Sequence, residues 1–218
     1  MARNKKRARS RQSLQRGHAR KPKLPSKIIL IVCEGAKTEP YYFKELKRRW
    51  KLHTAQVEIR GKDCGSDPLS VVDHALALRK QRKKDSKSGG MLPYDQVWCV
   101  IDRDHHAKLK QALNKAQKNK LHVALSVPCF EVWYLLHYRY STKPFEYCDE
   151  LIKELRKELP GGEYDKANPP LQNKSIDVAL KNAGLLRKHS EETSSSNPFT
   201  DVDLLVATLL QLKPASTR

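Results

Sequence analysis

Acidic residues that stop apolar runs are the groups of this chain best suited to chemistry. Ile28-Ile-Leu-Ile-Val32 runs into Cys33-Glu34-Gly35, and Val97-Trp-Cys-Val-Ile101 runs into Asp102-Arg103-Asp104. Residues two apart in extended chain point the same way, so Asp102 and Asp104 aim two carboxylates at one spot. With Glu34 they form three hard oxygen donors, a set suited to Mg²⁺ or Mn²⁺, ions that keep waters and leave room for a phosphate. The plainer alternative is one acid at a helix N-terminus and two loop aspartates. A fourth acid, Glu131, sits near the start of a segment that is apolar nearly all round, Cys129 to His137. A carboxylate there is costly unless a cation holds it. It either complements its helix dipole or adds a metal ligand. Lys37 near Glu34 can stabilise charge at that point or be an ordinary surface lysine. Arg60 and Lys62 follow a short strand at the same end of the sheet, and Arg103 lies between the two aspartates. His105 and His106 come next, but adjacent side chains diverge in strand and helix alike. The pair therefore reads as helix initiation with phosphate contact by His105 rather than as a zinc site. Arg60, Lys62, Arg103 and His105 are the candidate nucleic-acid contacts.

Positioning these groups takes strands and helices in alternation. The run Ile28 to Val32 suits a strand buried on both faces, as in a parallel sheet. The following helix takes Thr38 or Glu39 as cap and Pro40 in its first turn, with Phe43, Leu46 and Trp50 on one stripe. Gln56-Val-Glu-Ile59 reads as a strand. Asp67-Pro68 then opens a second helix, with Asp67 as cap. Gly89-Gly90 separates that helix from the strand ending at Asp102. Leu109, Ala112, Leu113 and Ala116 make a third helix, and Leu121 to Leu125 another strand. Open α/β sheets bind ligands beyond the carboxyl ends of their strands, where Glu34 and Asp102 fall. From Pro144 the pattern turns to helices without clear strands. Ser190 to Asn197 reads as a mobile polar loop, and Thr200 with Asp203 resembles a capping box. His137 reads as a satisfied core or boundary histidine. The segments are a basic tail over 1–27, an α/β domain over 28–143 and a helical extension over 144–218 packed on it.

Composition narrows the partners. The 218 residues carry a net charge of +19, which favours a polyanion. Residues 1–27 hold eleven Lys/Arg and no acid, so 32 basic and 24 acidic residues remain, a net of +8 for the rest. With so few large aliphatics that tail cannot offset its ordering entropy, and it reads as a basic arm for phosphates. No apolar run approaches the roughly 20 residues of a membrane span, and no signal-like segment follows the basic start. Five cysteines without CxxC spacing read as buried reduced thiols of a cytoplasmic protein.

The motifs also carry a resemblance. A strand ending in Glu-Gly, followed by one ending in Asp-x-Asp, looks like the Toprim domain of topoisomerases, primases and related nucleases. Ile31-Val-Cys-Glu-Gly-Ala-Lys-Thr-Glu-Pro-Tyr-Tyr-Phe43, Ile101-Asp-Arg-Asp104, Ser126-Val-Pro-Cys-Phe-Glu-Val-Trp-Tyr-Leu-Leu-His137 and Asn197-Pro-Phe-Thr200 together resemble the RloB-like family. That family is known mainly from bacterial restriction and abortive-infection loci, often beside an ABC-type ATPase. The resemblance implies a mainly parallel, Toprim-like (Rossmann-like) sheet flanked by helices. It further implies a Mg²⁺- or Mn²⁺-dependent endonuclease in anti-phage defence, controlled by an ATPase partner. Asp102, Asp104 and Glu131 would hold metal, and Glu34 would share it or act as general acid/base. The alternative is a catalytically silent nucleic-acid-binding subunit. No tyrosine is identifiable as a strand-passage nucleophile.

Overall fold

Strand β1 (Ile29–Cys33) has every residue buried, as an unbroken apolar run requires. It lies between β2 (Val57–Arg60) and β3 (Gln96–Asp102), parallel to both, and β4 (His122–Val127) runs parallel beside β3. A two-residue strand, β5 (Phe199–Thr200), pairs antiparallel with β4 and completes the order β2-β1-β3-β4-β5. The structure, a computed structural model, describes residues 27–52, 57–61, 67–103, 108–167 and 176–214. The basic tail up to residue 26 lies outside the described residues, as do Lys62, Cys64, Asp104, His105 and His106.

The period-two alternation of the central strands divides the core. Ile29, Ile31, Cys33, Trp98 and Val100 face one layer, and Leu30, Val32, Val97, Cys99 and Ile101 face the other. Helices α2 (Pro68–Lys87) and α3 (Leu109–Lys118) cover the second face through Val71, Val72, Ala75, Ala112 and Ala116. The first face receives α1 (Thr38–Arg49) through Tyr42, Phe43 and Leu46. It also receives α4 (Glu131–Leu136), α5 (Cys148–Glu158), α6 (Ile176–Thr193) and α7 (Val202–Leu210). The result is an α/β, mostly parallel, Rossmann-like sheet flanked by seven helices among the described residues. No helix among the described residues is long and apolar enough to cross a membrane.

This winding creates a switch point. The chain leaves β1 through α1 on one face towards β2, and leaves β3 through α3 on the other face towards β4. Between the carboxyl ends of β1 and β3 the crossovers diverge, and a crevice opens there. Edge-to-face ring contacts fix α1 against α4 across its floor: Tyr42 meets Phe130 at 5.5 Å, Tyr134 at 5.7 Å and Trp133 at 6.3 Å between centroids. Each such pair contributes about 0.5–1.5 kcal/mol beyond burial, so the acids on the two helices are held in a set relation.

Asp67 caps α2 as its sequence requires, accepting from the backbone N–H groups of Leu69 and Ser70 at 3.1 and 3.2 Å. Other local expectations are corrected. The cap position of α1 is Lys37 without a side-chain bond, because Thr38 and Glu39 turn inward and are buried. The C-terminal part contains β5 as well as helices. Its residues share one core with the sheet, so Thr200 pairs with Ser126 as a strand residue. No capping box forms at α7: Thr200 Oγ1 accepts from Val202 N–H at 3.2 Å, while Asp203 is bound by Arg187 at 2.6 Å. The polar segment after residue 190 is not a free loop. Helix α6 continues to Thr193, and Asn197 clamps Phe145 through two hydrogen bonds of 3.2 and 2.7 Å. His137 is buried, but its Nδ1 lacks a partner among the described residues.

The cysteines divide. Cys33 and Cys99 are buried in the strands and take no part in a disulfide. Cys129 and Cys148 are joined by a disulfide, contrary to the expectation of reduced thiols throughout. They meet because the chain returns after α4 and starts α5 against it, a reversal that helical periodicity does not encode.

Candidate functional site

A cleft of about 720 Å³ opens at the switch point. Glu34, Glu39, Asp102, Glu131 and Asp149 line it together with Lys37 and Lys166. In a chain of net charge +19, five carboxylates thus share one cleft with two lysines.

Each acid arrives by a different route. Glu34 is the first residue past β1. Its N–H still bonds to Val100 O at 3.1 Å, and its Oε2 accepts from the backbone N–H of Asp102 at 3.2 Å. The two strand ends are therefore tied through the side chain of one and the backbone of the other. Asp102 ends β3 on the alternation of Trp98 and Val100, which aims it towards the α1/α4 side. Its Oδ1 is fully enclosed and has no hydrogen-bond partner among the described residues. Burial raises its pKa well above the ordinary carboxyl value, and the charges of Glu39, Glu131 and Glu34 raise it further, against a lowering pull from the Phe130 backbone amide. Glu39 folds back from the first turn of α1 so that its Oε1 accepts from Gly35 N–H at 3.0 Å. Burial raises its pKa too; the backbone bonds at Glu39 and Gly35 oppose this, and Glu131 adds to it. Gly35 is required by that approach: a Cβ there would fall 2.2 Å from Glu39 Oε2 and 2.7 Å from Oε1.

Glu131 is buried at the start of α4. It is not turned to solvent, and no arginine pairs with it among the described residues. Tyr164 donates to its Oε1 at 2.8 Å, Lys166 Nζ lies 4.0 Å away, and Cys148 Sγ is 3.3 Å from Oε2. A disulfide sulfur carries no proton, so the last approach is a contact and not a donated bond. Burial, then the charge of Glu131, raises the Tyr164 hydroxyl pKa and keeps that hydroxyl a donor.

The structure thus brings Glu34, Asp102, Glu131 and Lys37 to one cleft, Lys37 exposed at its rim. Asp104, Lys62 and His105 lie outside the described residues. Arg60 is engaged by Glu58 at 2.6 Å, and Arg103 donates to Ser196 Oγ at 3.3 Å; neither lines the cleft. Sequence reasoning missed Glu39, Asp149, Tyr164 and Lys166. Among the described residues, the only group of three or more His, Cys, Asp or Glu side chains whose ligand atoms all lie within 4.8 Å of one another is Cys129, Glu131 and Cys148. The carboxylates therefore surround the cleft without closing into one tight shell.

Fold and site define an α/β protein of Rossmann-like type with a carboxylate cleft at its switch point. A family model described as RloB-like protein matches residues 29–209. The chain belongs to the RloB-like family. Comparison with curated proteins and with solved structures finds no match.

Proposed function

We propose that this protein is a divalent-metal-dependent phosphodiesterase that cuts nucleic acid, an effector of bacterial anti-phage defence governed by an ATPase partner. The observation that carries the reading is the acid-lined cleft of a strongly basic chain, with Asp102 Oδ1 enclosed there and without a hydrogen-bond partner among the described residues. A buried carboxylate oxygen without a donor is costly unless a cation completes it. Glu34, Asp102 and Glu131, with Asp104 beside them in sequence, would hold Mg²⁺ or Mn²⁺. Carboxylates that do not converge within 4.8 Å suit Mg²⁺, which keeps several waters and binds through one or two acids. Such an ion supplies an activated water and offsets charge at the phosphorus.

The chain's own groups then divide the work. Glu34 serves as general acid/base, a role that also underlies the proposed relation to Toprim enzymes. Lys37 neutralises a phosphate oxygen at the rim. Arg60, Lys62, Arg103 and His105, with the basic tail, meet backbone phosphates without reading sequence. A second reading, a silent nucleic-acid-binding subunit, is favoured by the same openness of the carboxylate set. The deciding experiment is cleavage of pooled DNA and RNA with Mg²⁺ or Mn²⁺, with and without an ATPase encoded beside this chain. Metal-dependent cutting by the wild type that disappears in folded Asp102→Ala upholds the nuclease. Binding without cutting under every condition upholds the silent subunit.

A further inference from the structure

Cys129 and Cys148 line the carboxylate cleft where it meets the core, Cys129 buried and Cys148 half-buried. Cys129 precedes α4 and Cys148 opens α5, with their Cα atoms 5.7 Å apart. Glu131 lies between them and Tyr164, its Oε2 3.3 Å from Cys148 Sγ. The two sulfurs and one Glu131 oxygen all fall within 4.8 Å of one another, the tightest gathering of metal-ligating atoms among the described residues. Two sulfurs and one oxygen form a softer donor set than any carboxylate group in the cleft, and one that nothing in phosphodiester chemistry requires.

We propose that Cys129, Cys148 and Glu131 form a thiol-gated site for a soft divalent ion of the zinc class, closed while the disulfide stands and opened by its reduction. A dithiol reductant gives two electrons and two protons to the Cys129–Cys148 bond and leaves as its own disulfide. The protein then carries two thiols. Zn²⁺ displaces both thiol protons to solvent and forms two Zn–S bonds, with a Glu131 oxygen as third ligand and water as fourth. Zinc–sulfur bonds of about 2.3 Å in a tetrahedral shell set two sulfurs about 3.8 Å apart, a separation that rotation about the two Cα–Cβ bonds supplies. Three protein ligands with an open fourth position is the pattern of zinc sites that admit an exchangeable group. The oxidised pair offers no thiolate, so selectivity for zinc over magnesium is set by the redox state of the chain and not by the shape of the cleft.

The test uses the full chain in two forms: oxidised, and reduced with a phosphine then desalted without oxygen. Zn²⁺ is titrated into each against a chromophoric chelator. The reduced chain is expected to retain about one Zn²⁺ and the oxidised chain none. Cys129→Ser/Cys148→Ser, which keeps Cys33, Cys64 and Cys99, is expected to retain none under reducing conditions. Glu131→Gln should weaken binding by at least the roughly 10–100-fold typical of losing an outer-shell partner. Co²⁺ added to the reduced wild type should give thiolate-to-cobalt charge-transfer absorption, a readout that stands even if the serine variant fails to fold. Equal zinc uptake by the oxidised and reduced chains, or a reduced folded chain without uptake or cobalt absorption, overturns the proposal. The phosphodiesterase reading is separable: a chain that takes zinc only when reduced, yet cuts no nucleic acid, upholds this site and refutes that activity.

Discussion

His137 offers a measurement of how firmly the aromatic floor beneath the cleft is closed. It follows α4 at the position where a helix C-terminus ordinarily favours a cationic imidazole. Burial outweighs that preference. The residue is 2 % exposed; among the described residues Nδ1 has no hydrogen-bond partner, and Nε2 lies 3.5 Å from the Tyr42 hydroxyl. Desolvation, aided by the charge of Arg49, holds its pKa down to about 3 from an ordinary 6.5. A base whose folded pKa lies below its unfolded value contributes stability that is complete above the unfolded pKa. That stability is lost as pH falls through 6.5 towards 3. Linkage gives a loss of about 2 kcal/mol between pH 7.5 and pH 5 from this one group. His137→Phe keeps a ring among Tyr42 and Trp133 and has nothing to protonate. Its neutral-pH stability should lie within about 1.5 kcal/mol of wild type, the ordinary cost of a near-isosteric core exchange. Urea unfolding of both proteins at pH 7.5, 6 and 5 isolates the residue, since the carboxylates common to both cancel in the difference. The gap should shift by about 2 kcal/mol in favour of the variant as pH falls. A gap independent of pH would show that His137 is solvated, and a shift in favour of the wild type would show that it is charged in the fold; either would refute the closed floor.

Gly35→Ala drives a Cβ into the Glu39 carboxylate, which is buried and cannot swing freely to water. Loss of the Gly35 N–H bond to Glu39 should cost about 1–3 kcal/mol, lowering Tm by roughly 2–4 °C per kcal/mol; an unchanged melting curve would place Glu39 elsewhere. Glu131→Gln retains the shape and the Tyr164 bond while removing a negative charge. The Mn²⁺ or Mg²⁺ concentration for half-maximal cleavage should rise, and stability in chelator should change by no more than about 1 kcal/mol. An unchanged metal requirement would leave Glu131 a structural acid. Deleting residues 1–27 removes eleven cations. Because log K falls by roughly 0.9 per neutralised phosphate for each decade of salt, the salt dependence of DNA binding should flatten. An identical slope would assign all phosphate contact to the rest of the chain.

What was legible in the sequence was what periodicity and punctuation encode. The run Ile28 to Val32 stopped by Glu34-Gly35 announces a doubly covered strand and its carboxyl end, and the run before Asp102 announces a second. From these follow the α/β class and the convergence of Glu34 and Asp102. Glu131 was conspicuous because an acid interrupts an otherwise apolar helix. Glu39 was not, since an acid beside proline in a first turn ordinarily serves the helix terminus; only the tertiary approach to Gly35 turns it inward. Tyr164 and Lys166 come from an irregular segment after the Pro160–Gly162 turn, where no period constrains direction. The two-residue β5 is too short to alternate, and the Cys129–Cys148 contact spans 19 residues across a reversal.

The unequal dressing of the sheet bears on which positions tolerate change. Side chains on the α2/α3 face, such as Leu30, Val72 and Ala112, form their own smaller cluster. Among the described residues, that cluster includes no residue of α1, α4 or α5. Ile31, Phe43 and Phe130 belong to the other cluster, in which α1 and α4 carry Glu39 and Glu131. A library of conservative substitutions should therefore separate into two populations. One loses melting temperature while keeping its cation response intact, and the other loses both together. The sheet acts as a mechanical partition, with repair and drift permitted behind it and geometry guarded in front.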